Sequence, residues 1–398
     1  MRSIIICFLI SNFVFASNLE ILQNDKKELR NLEKKSIEAS YEALKNDWIS
    51  PITISSGLER DHSFSSKSGS FDKSATIGFT QSIYESGGIE LKIQYAKDKY
   101  KTDLISWEND NYQILQTIYE TLLEISKIKL EIEQSAYSLQ NKEIEMILKK
   151  IQYEAGDVDI VDLNNSIIAK NSQFKENILL QNSLKDKEYI LSKYTSLKDN
   201  EIEILDFSGI KKEDFINKNI ELLLQKSKID MLGTSYEQTK TSYLPKVTTS
   251  LKANYLDSED FYSSTQKEAN NTGIVSLNLS VPLYDYNKSN KLEESKISYL
   301  KQKAQVNDLK NQLVYEYEQI LNQIDIYEKY NKTIKDNIKL YDDLLSINNI
   351  SNSAGMTSTY DLDILKNTKK INEYDLAINN INIKLQHSKL YFKTKGDN

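Results

Sequence analysis

The sequence predicts a mostly α-helical protein with a small membrane-type β part, built as a duplicated helix–strand–strand–long helix–helix unit. Three observations carry that expectation. Residues 89–154 and the stretch between Pro282 and Gly355 contain neither Gly nor Pro, so nothing in either stretch forces a helix to stop. Short segments ahead of each stretch instead alternate apolar and small polar residues, the period of a strand. The same markers then recur in the same order, as in an internal duplication: Pro51 and Pro245, Ile83-Tyr84 and Leu283-Tyr284, Ala155-Gly156 and Ala354-Gly355.

Composition sets the bounds. The 398 residues include only 11 Gly and 3 Pro, which suits long helices. A formal net charge of -7 provides no basic field, so nucleic acid is not an expected partner. Residues 1–17 read as a signal peptide, with Arg2 before an apolar run over 4–15 and the small Ala16 at its end. The run is too short to span a bilayer as a helix. Cys7, the only cysteine, lies within it, so its removal leaves no disulfide or thiolate chemistry. No later stretch has the ~20 apolar residues of a spanning helix, so entry into a membrane has to use strands.

In chain order, the first repeat covers residues 18–195. Its first helix, over about 19–47, ends at Trp48 and Pro51. A hairpin over 52–84 follows, with Ile52, Ile54 and Leu58 alternating in one strand and Ala75, Ile77, Phe79 and Ile83 in the other. Gln81 is the polar exception on that apolar face, and residues 60–73 read as a Ser-, Gly- and charge-rich loop. The long helix 89–154 carries Leu115, Ile118, Leu122, Ile125, Ile128 and Ile132 at threes and fours, and Gly156 stops it. A helix over 159–194 completes the repeat. Residues 196–212 break the periodicity as a connecting segment.

The second repeat, 213–398, starts with a helix to residue 242 and a hairpin over 247–284 with a polar loop at 257–271. Its last strand is expected to run to Leu283, with Val275, Leu277, Leu279, Val281 and Leu283 on one face. The long helix 287–352 has a heptad seam through Leu313, Tyr317, Ile320, Ile324, Tyr327, Ile334, Ile338, Tyr341 and Leu345, broken only by Asn331. It would be on the order of 100 Å long at ~1.5 Å per residue. A helix over 359–392 ends the chain.

Four strands with an apolar outer face cannot close a barrel, and an open sheet edge in lipid leaves backbone groups unsatisfied. Two copies would supply eight strands and a filled barrel; three would supply twelve and a lumen. Thr, Ser, Asn and Gly on the opposite faces favour a water-filled interior and hence three copies, a homotrimer. A soluble β-sandwich is the bland alternative, but sandwiches do not carry two heptad rods of this length.

The strings QSIYESGG and SVPLYDYN before the long helices, and YEAGDVDIVDL and NSAGMTSTYDLDIL at their ends, together with Pro51 and Pro245, resemble the TolC family of outer membrane efflux proteins over nearly the whole mature chain. The resemblance implies a trimer with a 12-stranded β-barrel and a long α-helical barrel, with residues around 196–212 and the chain ends forming a belt. It implies an outer membrane location in a Gram-negative bacterium, contact with outer-membrane lipid, projection into the periplasm, a periplasmic membrane-fusion adaptor and an inner-membrane pump. Within that family, small-molecule efflux and one-step protein secretion are both open. A periplasmic coiled-coil protein with no pore is the alternative of another class.

No enzyme signature, cofactor motif or metal set is present, and there is no phosphate-binding loop of the G-x-x-x-x-G-K type. His62 in a polar loop and His387 on a helix read as surface histidines. Asp361 and Asp363 fit a cation site or ordinary acidic residues early in a helix, where the dipole favours carboxylates. The resemblance places Asp361, with Asp363 beside it, at the family's periplasmic constriction, with Thr357 and Ile364 replacing an arginine and a second aspartate of its gate. Asp162, six positions after Gly156 as Asp361 is after Gly355, matches the acidic residue of the family's first turn and is counted with the constriction by that resemblance, either as a helix–helix linker or as a cap-region charge. Tyr153, Ala155, Gly156, Ala354 and Gly355 are the implied adaptor contacts. Tyr84, Tyr255, Phe261, Tyr262 and Tyr284, at strand ends, suit a membrane interface.

Overall fold

The computed structural model describes residues 19–63, 65, 69–207, 209–260 and 269–395. The expected signal peptide and the aromatic residues Phe261 and Tyr262 lie outside them. The chain runs α1 (Asn24–Lys45), β1 (Thr53–His62), β2 (Gly69–Tyr84), α2 (Gly88–Glu154), α3 (Ile160–Ser192), α4 (Lys212–Asn217), α5 (Ile220–Thr241), β3 (Lys246–Asp260), β4 (Asn270–Ser280), α6 (Lys288–Ser353) and α7 (Thr359–Tyr391). Among the described residues no helix is long and apolar enough to cross a membrane.

The structure corrects the sequence expectations at three places. Within the polar stretches 60–73 and 257–271, residues 60–62, 69–73, 257–260 and 270–271 are strand. β1 continues to His62, β2 begins at Gly69, β3 reaches Asp260 and β4 begins at Asn270. Their charges are matched across the ladder: Lys73 Nζ lies 2.8 Å from Glu259 and 3.6 Å from Asp257. Cross-strand pairing of opposite charges compensates for poor strand propensity. Conversely, β4 ends at Ser280, so Val281, Pro282 and Leu283 lie outside its ladder; Pro282 has no N–H to give. The expected helix 213–242 is broken into α4 and α5 at Lys218-Asn219. There the buried Asn219 side-chain oxygen accepts from the Leu222 amide at 3.0 Å, an N-cap that starts α5 afresh.

The fold divides into two compact units: residues 1–31, 108–222 and 309–398, and residues 32–107 and 223–308. The first holds the main apolar core. Leu115, Ile118, Tyr119, Leu122, Leu123 and Ile125 of α2 are buried against Leu22, Leu191, Ile202, Phe207 and Phe392. Phe392 stacks on Tyr119 at 5.5 Å between ring centroids, and Phe207 meets Phe392 at 5.6 Å and Tyr391 at 5.3 Å. The irregular segment after α3 is therefore held by its own apolar side chains. On α6, the seam residues Leu313, Tyr317, Ile320 and Ile324 are buried, and Tyr317 donates to the Ile210 carbonyl at 3.1 Å. The seam break is buried too: Asn331 Nδ2 donates to Asn380 Oδ1 at 3.0 Å.

Each half of the chain closes on itself in the same way. The Gln23 amide donates to the Tyr194 carbonyl at 2.9 Å, joining the start of the first half to its end. The Ile220 amide donates to the Lys393 carbonyl at 3.0 Å and the Lys395 amide to the Lys218 carbonyl at 2.8 Å, doing the same for the second.

In the second unit the helical segments are tied largely by polar and aromatic contacts. Thr234 donates to Asp98 at 2.6 Å, Gln302 to the Gln225 carbonyl at 3.1 Å, and Tyr41 stacks on Tyr100 at 4.7 Å. This unit also holds the whole sheet.

Candidate functional site

The sheet has the order β1-β2-β3-β4, antiparallel throughout. β1–β2 and β3–β4 are hairpins, and β2–β3 is the seam that joins them. Side chains directly across a ladder share a face. One face therefore carries the rows Phe79–Leu251–Val275, Ile54–Ile77–Ala253–Gly273 and Thr249–Leu277. The other carries Ser55–Thr76–Asn254–Thr272 and Thr80–Ser250–Ser276. On that face Thr76 donates to Asn254 at 3.0 Å, and Asn254 Nδ2 lies 3.4 Å from the Thr272 hydroxyl. From Val247 to Tyr255 the apolar face extends about 26 Å along the strand at ~3.3 Å per residue. That becomes roughly 20 Å at the strand tilt of outer-membrane barrels, close to their apolar band.

Gln81, the exception on the apolar face, is fully employed. Its Oε1 accepts from the Ser50 amide at 3.0 Å, and its Nε2 donates to the Trp48 and Ser82 carbonyls, both at 2.9 Å. It supplies hydrogen bonds to the chain just ahead of β1. Tyr84, opposite Val247, and Tyr255, opposite Ala75, stand at the two ends of the apolar rows. The outer edges of β1 and β4 pair with no strand among the described residues. The apolar side chains near those edges are the sheet's most exposed: Ile54 at 77 %, Val275 at 79 % and, just past β4, Leu283 at 93 %.

The second locus is the pair of turns in the other unit. Both are closed in the same way. Gly156 donates to the Tyr153 carbonyl and Asp157 to that of Gln152; Gly355 donates to Asn352 and Met356 to Ser351. Gly156 has φ 81° and Gly355 φ 74°, the left-handed conformation that ends a helix in this double-bonded form. Tyr153, Ala155, Ala354 and both glycines are exposed. Asp159 Oδ1 then accepts from the Asp162 amide at 2.9 Å, and Ser358 Oγ from the Tyr360 amide at 3.1 Å, capping α3 and α7.

Asp162, Asp361 and Asp363 lie in the opening turns of those helices, all exposed. Asp363 is ion-paired with Lys366 at 3.2 Å, whereas neither Asp162 nor Asp361 has an ion-pair partner among the described residues. Thr357 is half-buried, and its carbonyl accepts from Asn352 Nδ2 at 2.9 Å; Ile364 is half-buried as well. His62 ends β1, opposite Gly69, and His387 lies on α7. No group of three or more His, Cys, Asp or Glu able to hold a metal occurs among the described residues. Exposed apolar side chains near the turns were missed from sequence: Ile151, Ile160, Ile350 and Met356, the last 81 % exposed. Their signal is an apolar residue lying off the buried seam.

No protein-family model matches the sequence, and no curated protein matches it. Solved structures do. The chain is similar to the transmembrane-channel protein CusC, with a TM-score of 0.72 at 10 % identity, over 96 % of this chain and 91 % of that one. The outer membrane protein VceC from Vibrio cholerae gives 0.70 at 12 %, over 92 % and 93 %. The Campylobacter jejuni CmeC outer membrane channel gives 0.71 at 12 %, over 94 % and 84 %. The fold of this chain is therefore that of outer membrane channels of the TolC type, held over nearly its full length at identities too low to carry anything but architecture.

Proposed function

We propose that this chain is the outer-membrane exit duct of a tripartite efflux system, a passive homotrimeric channel in a Gram-negative envelope. One observation carries the reading: a four-stranded sheet with an apolar face, a polar face and two unpaired edges. Such a sheet is stable in lipid only when its edges are closed. Three copies give a twelve-stranded wall whose polar faces line a wet lumen. The helices prolong that wall into the periplasm.

Nothing in the chain's motifs supplies energy, so transport draws it from an inner-membrane pump through a periplasmic adaptor. The two turn ends are the adaptor's docking points: Tyr153, Ala155, Gly156, Ala354 and Gly355, with Ile151, Ile350 and Met356 adding apolar contact. The constriction is a ring of Asp361 from three copies, whose charge favours cations. Asp363 contributes less, because Lys366 already neutralises it. Asp162 is a cap-region charge, since its amide is the one the Asp159 cap serves.

Planar-bilayer conductance of the detergent-extracted protein tests this. A cation-preferring pore is expected, with its reversal potential moved toward zero by Asp361→Asn and moved less by Asp363→Asn. A stable monomer without conductance would sink the duct. A pore whose selectivity ignores Asp361→Asn would remove only the gate assignment.

A further inference from the structure

Resting on the trimer just proposed, we infer that the seam between copies repeats, residue for residue, the β2–β3 seam inside one copy. The free edge of β4 joins the free edge of β1 of the next copy with Asn278 opposite Gly57. The pairing follows from the match of Ile83-Tyr84 with Leu283-Tyr284 and from the observed registers, with one residue more between Pro245 and Thr248 than between Pro51 and Thr53. Ile83-Tyr84 corresponds to Leu283-Tyr284, which sets Gly78 equivalent to Asn278. In the hairpins Gly78 faces Thr53 and Asn278 faces Thr248, so Thr53 is equivalent to Thr248. At the internal seam Gly78 faces Lys252, four residues beyond Thr248. The residue four beyond Thr53 is Gly57, and it faces Asn278 when the same contact closes the ring. A head-to-tail contact of this kind generates a closed ring when its rotation closes.

Three features agree with that register. First, it puts a glycine on the same rung of both seams, Gly78 within the chain and Gly57 between chains. At Gly78 the close approach is explicit: a Cβ there would sit 2.6 Å from the Leu251 carbonyl oxygen. Second, every outward side chain meets an outward one: Leu277 meets Leu58 and Val281 meets Ile54 of the neighbouring copy, and past the shift seen between Ser82 and Tyr84 the equivalent Tyr284 meets Ile52. A slip of one residue would turn each apolar row onto the polar face. Third, it explains the segment Val281-Pro282-Leu283, which lies past the end of β4 with Leu283 almost wholly exposed. In this register the segment runs beside Ile52–Ile54 of the next copy, so the wall gains its lowest rungs only on assembly.

Disulfide trapping in the intact chain tests the register. Directly opposite positions bring Cβ atoms to roughly 4.5–5.5 Å, whereas a two-residue offset leaves them roughly 7–8 Å apart. A disulfide needs about 3.5–4.5 Å. The double variants Leu277→Cys/Leu58→Cys on the outer face and Ser276→Cys/Glu59→Cys on the inner face are made beside the offset pair Leu277→Cys/Ser56→Cys. Using both faces samples the close and the wide pairs of an antiparallel ladder. Native mass in detergent is recorded for each protein before oxidation.

At least one matched pair is expected to give a covalently linked ladder up to the trimer, about tenfold above the offset pair given the separations above. An intact trimer in which the offset pair links best, or in which neither matched pair links, overturns the register and leaves the duct standing. Loss of the trimer in the unsubstituted protein overturns both.

Discussion

Replacing Gly78 by alanine is expected to destabilise the sheet, whereas the same change at Gly57 is not. Neither glycine has a positive φ, so alanine meets no backbone strain at either position and the outcome is decided by space. At Gly78 the new Cβ would lie 2.6 Å from the Leu251 carbonyl oxygen and 3.1 Å from Lys252 Cα, both main-chain atoms of the β2–β3 seam. Neither can rotate away, so the strands must part. Overpacking of this kind costs about 1–3 kcal/mol. The smaller entropy of the unfolded alanine chain offsets ~0.4–1 kcal/mol of that. The net loss is about 1–2 kcal/mol per copy, a factor of roughly 5–30 in the folded-to-unfolded ratio.

At Gly57 the only nearby atom among the described residues is Ser74 Oγ at 3.1 Å, the end of a side chain that can turn. The entropy gain then dominates, and the change is neutral or slightly stabilising for the isolated chain. Urea unfolding in detergent micelles, followed by Trp48 and Trp107 fluorescence, reads both variants. A Gly78→Ala midpoint equal to that of the unsubstituted protein, at unchanged slope, would show that the close approach in the seam does not constrain the sheet.

Other expectations concern the helical unit. Gly355→Val forces a β-branched residue to φ 74° and should cost about 1–2 kcal/mol locally. Hydrogen exchange of the Gly355 and Met356 amides should rise about tenfold, with Gly355→Asn much milder. Phe392→Ala empties a site 2 % exposed among Tyr119, Phe207 and Tyr391, a loss of about 3–5 kcal/mol. Protection of residues 202–207 should fall by two orders of magnitude or more if that aromatic cluster orders the segment; unchanged protection would exclude it. Burial pushes the Tyr391 hydroxyl from 10.0 up to about 12. Because the folded value is the higher, this contribution is complete below pH 10 and is lost as pH rises toward about 12. Alkaline unfolding monitored by tyrosinate absorbance should shift upward in Tyr391→Phe, and an identical profile would remove Tyr391 as a cause.

The helical rods and the sheet were legible because both patterns are strict. Leu313, Tyr317, Ile320 and Ile324 recur at helical spacing and are buried as that spacing requires. Val275, Leu277 and Leu279 alternate and share a face. What failed was reading polar residues as loop. Lys73, Asp257 and Glu259 look like turn residues one at a time, yet they compensate one another across a ladder invisible to a single strand's composition. The break at Lys218-Asn219 was hidden for a similar reason: an asparagine within a helical run has no local signature, and its cap and its bridge to Thr394 come from tertiary contacts. The acidic residues after the turns were found by their equal spacing from Gly156 and Gly355. That Lys366 neutralises Asp363 and not Asp361 required side-chain positions.

The paired clasps, Gln23 on Tyr194 and Ile220 on Lys393, have an evolutionary corollary. A polypeptide that finishes beside its own beginning can be doubled by tandem fusion with only a brief splice, and the copies need no rerouting. An ancestor of half the length, assembling as six identical pieces, would then already have possessed every joint of the present molecule.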